Sequence, residues 1–162
     1  MPFTSSVERK KPIQADVSVD VLTEIVKSVF STMMSLEVST ADAPWSSKGE
    51  WMTSMVYLMG DWNGVVMLAC SPHQACQFAG RILGMDPPES ADDDVRDVMG
   101  ELANIIGGNM KSRMTTVVRL SLPSVLNGRD YDVKVCGSKV LERLAYQCED
   151  GTFWVTILVN RE

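Results

Sequence analysis

Between Asp92 and Arg113 the chain carries a run that one regular structure accommodates. Val95, Val98, Met99, Leu102, Ile105, Ile106 and Met110 recur at steps of three and four, the spacing of one face of an α-helix. Such a stripe has to be laid against other apolar groups. Asp97, Glu101, Asn104 and Gly108 fall in a narrow stripe on the other side, with Lys111 beside it. At about 100° per residue, Glu101 and Asn104 project together, one turn apart. Asp92, Asp93 and Asp94 suit the positive end of the helix dipole. Gly100, Gly107 and Gly108 each disfavour the helix by about 1 kcal/mol relative to alanine. Their presence predicts a close approach, by a partner or by a packed element. Asn109 points toward the apolar side, which predicts a hydrogen bond to a neighbouring strand or loop.

The rest of the chain reads as elements that could cover this helix. Leu22, Ile25, Val26, Val29, Phe30 and Met33 predict an amphipathic helix from Asp16 to Leu36. Trp51–Met59 and Val65–Cys70 read as strands joined by the turn Gly60-Asp61-Trp62-Asn63-Gly64. Ser71-Pro72 opens a second helix that runs to Leu83 and ends at Gly84. Thr116–Leu122 is β-rich, and Pro123 interrupts it or places it at an edge. Asn127-Gly128 predicts a turn. Tyr131–Val135, Val140–Cys148 and Thr152–Asn160 read as strands, the last two joined at Glu149-Asp150-Gly151. Trp45, Trp51 and Trp62 are expected to cluster over one sheet face. The fold class is therefore α+β, a mixed, mostly antiparallel sheet with long helices packed against it. Residues 1–15 read as a disordered lead-in and 16–162 as a single domain.

Charge and cysteine content narrow the function classes. A net charge of −6 argues against nucleic acid or an anionic membrane as the main partner. No apolar run approaches the roughly 18 residues of a membrane span, and Met1-Pro2-Phe3-Thr4 lacks the features of a signal peptide. Cys70, Cys76, Cys136 and Cys148 fit no zinc or redox spacing, and are expected to be reduced and mostly buried, as in a cytoplasmic protein. His73 is the one histidine, which leaves little for a metal site or a catalytic triad.

The segment Glu101-Leu102-Ala103-Asn104-Ile105-Ile106-Gly107-Gly108-Asn109 resembles the Glu-x-x-Asn helix of the CheC/CheX/FliY phosphatases. Asp97 matches the acidic or serine position that opens that motif, and Leu122-Pro123-Ser124-Val125-Leu126-Asn127-Gly128 resembles the segment after the helix. The interval from Asn104 to Pro123 is shorter than in the CheC pattern. A single copy of the motif makes CheX the nearer relative within the family. The resemblance implies a CheC-like fold, a homodimer and a phosphorylated CheY-like receiver domain as partner. It implies catalytic roles for Glu101 and Asn104, with Asp97, Gly108 and Lys111 as partner-binding positions. No cofactor is expected in this chain, because the Mg²⁺ would sit on the receiver. A carboxamide can hold a water by one acceptor and two donors while staying neutral beside phosphate. A related module that binds without turnover is the alternative, although such domains are expected to lack the Glu/Asn pair.

Overall fold

The computed structural model describes residues 17–161. The expected lead-in over 1–15 and the helix start at Asp16 lie outside the described residues. Helix α1 spans Val19–Met34. Ser18 caps it by accepting from the Val21 N–H at 3.3 Å. It ends at Ser35 in the left-handed region, with the Ser35 and Leu36 N–H groups returning to Ser31 O and Phe30 O.

Strand β1 is short, Ser39–Ala41. Strands β2 (Glu50–Gly60) and β3 (Gly64–Cys70) form the expected hairpin. Its turn is fixed by Asn63, whose Oδ1 accepts from Gly60 N and whose Nδ2 donates to Gly60 O. Helix α2 follows at Pro72–Leu83, capped by Ser71, whose Oγ accepts from Gln74 N at 3.1 Å. Helix α3 occupies Asp93–Arg113. The remaining strands are β4 (Val118–Leu120), β5 (Ser124–Arg129), β6 (Ser138–Cys148) and β7 (Gly151–Asn160).

The sheet has seven strands in the order β1-β6-β7-β3-β2-β4, with β5 also paired to β2. Every pairing is antiparallel. Strand alternation divides its side chains between two faces. Met52, Val56 and Leu58 of β2, Val66, Leu68 and Cys70 of β3, and Phe153, Val155 and Ile157 of β7 join one core with the three helices. Phe30 stacks on Phe153 at 4.5 Å and meets Phe78 edge-on at 5.3 Å, which ties α1, α2 and the sheet together. The opposite face carries a smaller cluster of Met55, Val65, Met67 and Leu158.

Two expectations about the second half of the chain are corrected. Asn127-Gly128 is not a turn: both residues lie in β5, opposite Met52 and Trp51. The chain reverses two residues later, at Asp130 (φ 54°), where Oδ1 accepts from Gly49 N at 2.6 Å. Tyr131–Val135 is not a strand. Its alternation has a different cause: Val133 and Val135 lie down on the Met55–Met67 cluster as a cover. The Tyr131 hydroxyl anchors that cover within hydrogen-bond reach of Thr53 Oγ1, Trp51 O and Leu126 O.

The aromatic cluster also has a different member. Trp45, Trp51 and Trp154 meet one another, with ring centroids 4.8–5.5 Å apart. Trp62 instead packs against the helix-side core. Odd-numbered Trp51 and even-numbered Trp154 reach the same sheet face because β3 lies between their strands in register Ala69↔Trp154 and Met52↔Cys70. Sequence distance from a hairpin could not show that neighbour. Cys70, Cys76 and Cys148 are buried and Cys136 is exposed; all four are free thiols.

Candidate functional site

Helix α3 is held at both ends by groups that suit its dipole. Asp92 caps it, its Oδ1 accepting from Val95 N at 3.0 Å, and Asp93 and Asp94 occupy the first turn. Lys111 and Arg113 occupy the last turn. Its buried side is Val95, Val98, Met99, Leu102, Ala103, Ile106 and Met110, together with Gly100 and Gly107. Ile105 is only partly buried, at the edge of that side.

The glycines answer to elements of this protein. A methyl group on Gly107 would stand 2.8 Å from Val56 Cγ2 and 3.3 Å from Leu120 Cδ2. One on Gly100 would stand 3.3 Å from Pro123 Cγ. Both contacts bring α3 close to strands β2 and β4 and to the proline between β4 and β5. Gly108 differs, since a methyl group there would make only an ordinary contact, 3.8 Å from Leu120 Cδ1.

The outward stripe is as the spacing predicts. Asp97, Glu101 and Lys111 are exposed, and Asn104 and Gly108 are half-buried. Glu101 and Asn104 differ by about 4.5 Å of helix rise. Among the described residues, neither side chain makes a hydrogen bond or an ion pair. The Asn104 amide is not one of the buried polar groups left without a partner, so it stays open to solvent. Asp97 and Glu101 line a groove with Asp93, Arg96, Gly100, Pro123 and Val125. Asn104, Gly108 and Lys111 lie farther along the helix, outside that groove.

Asn109 is a correction. Its side chain is exposed and its Nδ2 donates to Ile105 O, one turn back on its own helix, at 2.8 Å. A short carboxamide can reach the preceding carbonyl, so no neighbouring strand is needed. Arg96 is a groove residue that the spacing argument did not single out, and Val125 entered it only as part of the segment after the helix. Arg96 is paired with Asp93 at 3.2 Å across one turn, and Val125 follows the proline that packs on Gly100. The three-residue spacing of Asp93 and Arg96 was the available signal for the first.

Among the described residues, no three His, Cys, Asp or Glu side chains converge as a metal-holding group. No helix among them is long and apolar enough to cross a membrane.

This geometry agrees with what comparison with known proteins shows. Curated proteins gave no match. Among solved structures, the chain is similar to the chemotaxis protein CheX from Vibrio vulnificus, with 18% identity and a TM-score of 0.73 over 89% of this chain and 97% of that one. It is similar to CheX from Desulfovibrio desulfuricans, with 21% identity and a TM-score of 0.70 over 86% and 96% of the two chains. It is also similar to a chain of the CheX–CheY–BeF3–Mg²⁺ complex from Borrelia burgdorferi, with 17% identity and a TM-score of 0.66 over 91% and 99%. At these identities the likeness establishes the CheC-like fold. The family model for the chemotaxis phosphatase CheX matches residues 52–146, more than half of the chain and all of the Glu101–Asn104 helix. The chain therefore belongs to the CheX family of chemotaxis phosphatases.

Proposed function

We propose that this protein docks on a phosphorylated CheY-like receiver domain and accelerates hydrolysis of its aspartyl phosphate. The observation that carries the reading is the outward pair on α3: Glu101 exposed and Asn104 half-exposed, neither engaged by any group of the described chain. Polar side chains held ready without partners suit a visiting protein. The Borrelia relative in complex with CheY, BeF3 and Mg²⁺ supports the choice of visitor.

In this reading the Mg²⁺ and a lysine beside the phosphoryl group belong to the receiver. Asn104 enters the receiver site and holds a water in line, about 3–3.5 Å from phosphorus. Glutamine does the same in small GTPases. The water oxygen bonds to phosphorus, the bond from phosphorus to the aspartyl oxygen breaks, and carboxylate and inorganic phosphate leave. Glu101 pairs with the receiver lysine, which turns a carboxylate that phosphate would repel into a docking contact. Close interfacial charge pairs have coupling energies of about 1.5–7 kcal/mol. Asp97 and Lys111 extend the contact along the helix, and Gly108 lets the partner approach closely. Pairing as a homodimer and work in the cytoplasm belong to the same proposal.

The test is loss of acyl phosphate from an isolated, phosphorylated CheY-like receiver with Mg²⁺, with and without this protein. About 3 kcal/mol from one aligned water corresponds to roughly a hundredfold acceleration. Binding with no change in rate would leave a docking module and refute the enzyme.

A further inference from the structure

We infer that Leu122 is the apolar anchor by which the receiver domain is seated beside the Glu101–Asn104 pair; this rests on the function proposed above. The segment between β4 and β5 runs back along α3. Its start is marked by Leu120, which lies over Gly107 and Gly108, and its end by Pro123, which lies over Gly100. Ser121 and Leu122 are therefore bracketed alongside the turn that holds Glu101 and Asn104.

The backbone there is fixed. Ser121 N donates to Tyr57 O at 2.9 Å, and Tyr57 N donates to Ser121 Oγ at 2.9 Å. That same hydroxyl donates to Leu122 O at 2.9 Å. Yet Leu122 is 88% exposed, the most exposed large apolar side chain among the described residues. A leucine on a floppy loop needs no explanation, but this one is held out by a clamped one. Its chain neighbour Pro123, with the half-buried Val125, lines the groove that Asp97 and Glu101 also line, and Leu122 stands just beyond it.

The occupant follows from position. A receiver that accepts Asn104 covers the flank of α3 on which Leu120 and Pro123 rest, and Leu122 stands between those two contacts. Neutral polar contacts exchange with water at little net gain, whereas burying an apolar side chain at the core of an interface excludes water from the contacts around it. Leu122 does not touch the reacting atoms. It positions the partner and so acts on binding.

The test compares wild type, L122A and L122M on one phosphorylated CheY-like receiver with Mg²⁺, with N104A as a reference. The inference predicts that L122A raises KM about tenfold with kcat unchanged and no change in Tm, and that L122M restores KM. Tenfold weaker binding of the beryllofluoride-activated receiver by L122A should accompany it. A wild-type KM in L122A overturns the inference while the N104A loss leaves the enzymatic reading standing. Reduced self-association with wild-type KM also overturns it, and gives the residue to contact between copies. If the wild type neither binds nor accelerates the receiver, both the inference and the reading beneath it fall.

Discussion

Asn109 Nδ2 donates to Ile105 O at 2.8 Å, while Asn104, five residues earlier, keeps its amide without a partner. The first side chain is satisfied within its own helix; the second is available. Asn109→Ala should therefore leave activity at the wild-type level. Glu101 is open in the same way, and its role is separable because it acts through charge. Glu101→Lys should place like charge against the receiver lysine and weaken docking at least tenfold, measured by titrating the activated receiver. Unchanged affinity in Glu101→Lys would remove the ion pair from the mechanism.

Helix α3 is set by how closely it can approach the sheet. A methyl group at Gly107 would press on stiff Val56, whereas one at Gly108 would meet only the far end of Leu120. Crowding of the first kind costs about 1–3 kcal/mol, and alanine gains about 1 kcal/mol of helix propensity in either place. Gly107→Ala should lower Tm and Gly108→Ala should raise it, as thermal melts would show. If Gly108 is a place of close approach, the stabilised Gly108→Ala should nonetheless dock less well. This contrast also shows what was legible in the sequence. Helical periodicity gave the faces of α3 and the outward Glu101 and Asn104, because one element contains both. Whether a glycine presses on Val56 or makes only an ordinary contact depends on a strand some fifty residues away in sequence, and no local pattern encodes that. Asn127-Gly128 failed for the same reason. Pairing with β2 outweighed the turn preference of the dipeptide, and the reversal moved to Asp130. The Tyr131–Val135 alternation reported one buried side truthfully, but that side rests on the sheet instead of extending it.

The molecule as a whole is a sheet with three helices and the main core on one side, and a thin cover over the other. Its thiols report that division. Burial raises the Cys70, Cys76 and Cys148 thiols above their ordinary value, so at pH 8 they stay protonated and unreactive. Alkylation of the folded protein at pH 8 should modify Cys136 alone, and all four cysteines after denaturation. Groups whose folded pKa is raised lend stability below the unfolded value of about 8.5 and lose it as pH climbs toward the folded one. Stability should accordingly fall on the alkaline side, and faster labelling of three further thiols should mark that fall. The sheet also decides what the site can be, because it backs α3 rigidly and leaves the polar stripe facing outward. The most direct test uses Asn104→Ala and the dephosphorylation rate of a phosphorylated CheY-like receiver. The account predicts that this variant binds the beryllofluoride-activated receiver but speeds loss of phosphate no more than buffer does. A variant that retains the wild-type rate would contradict it.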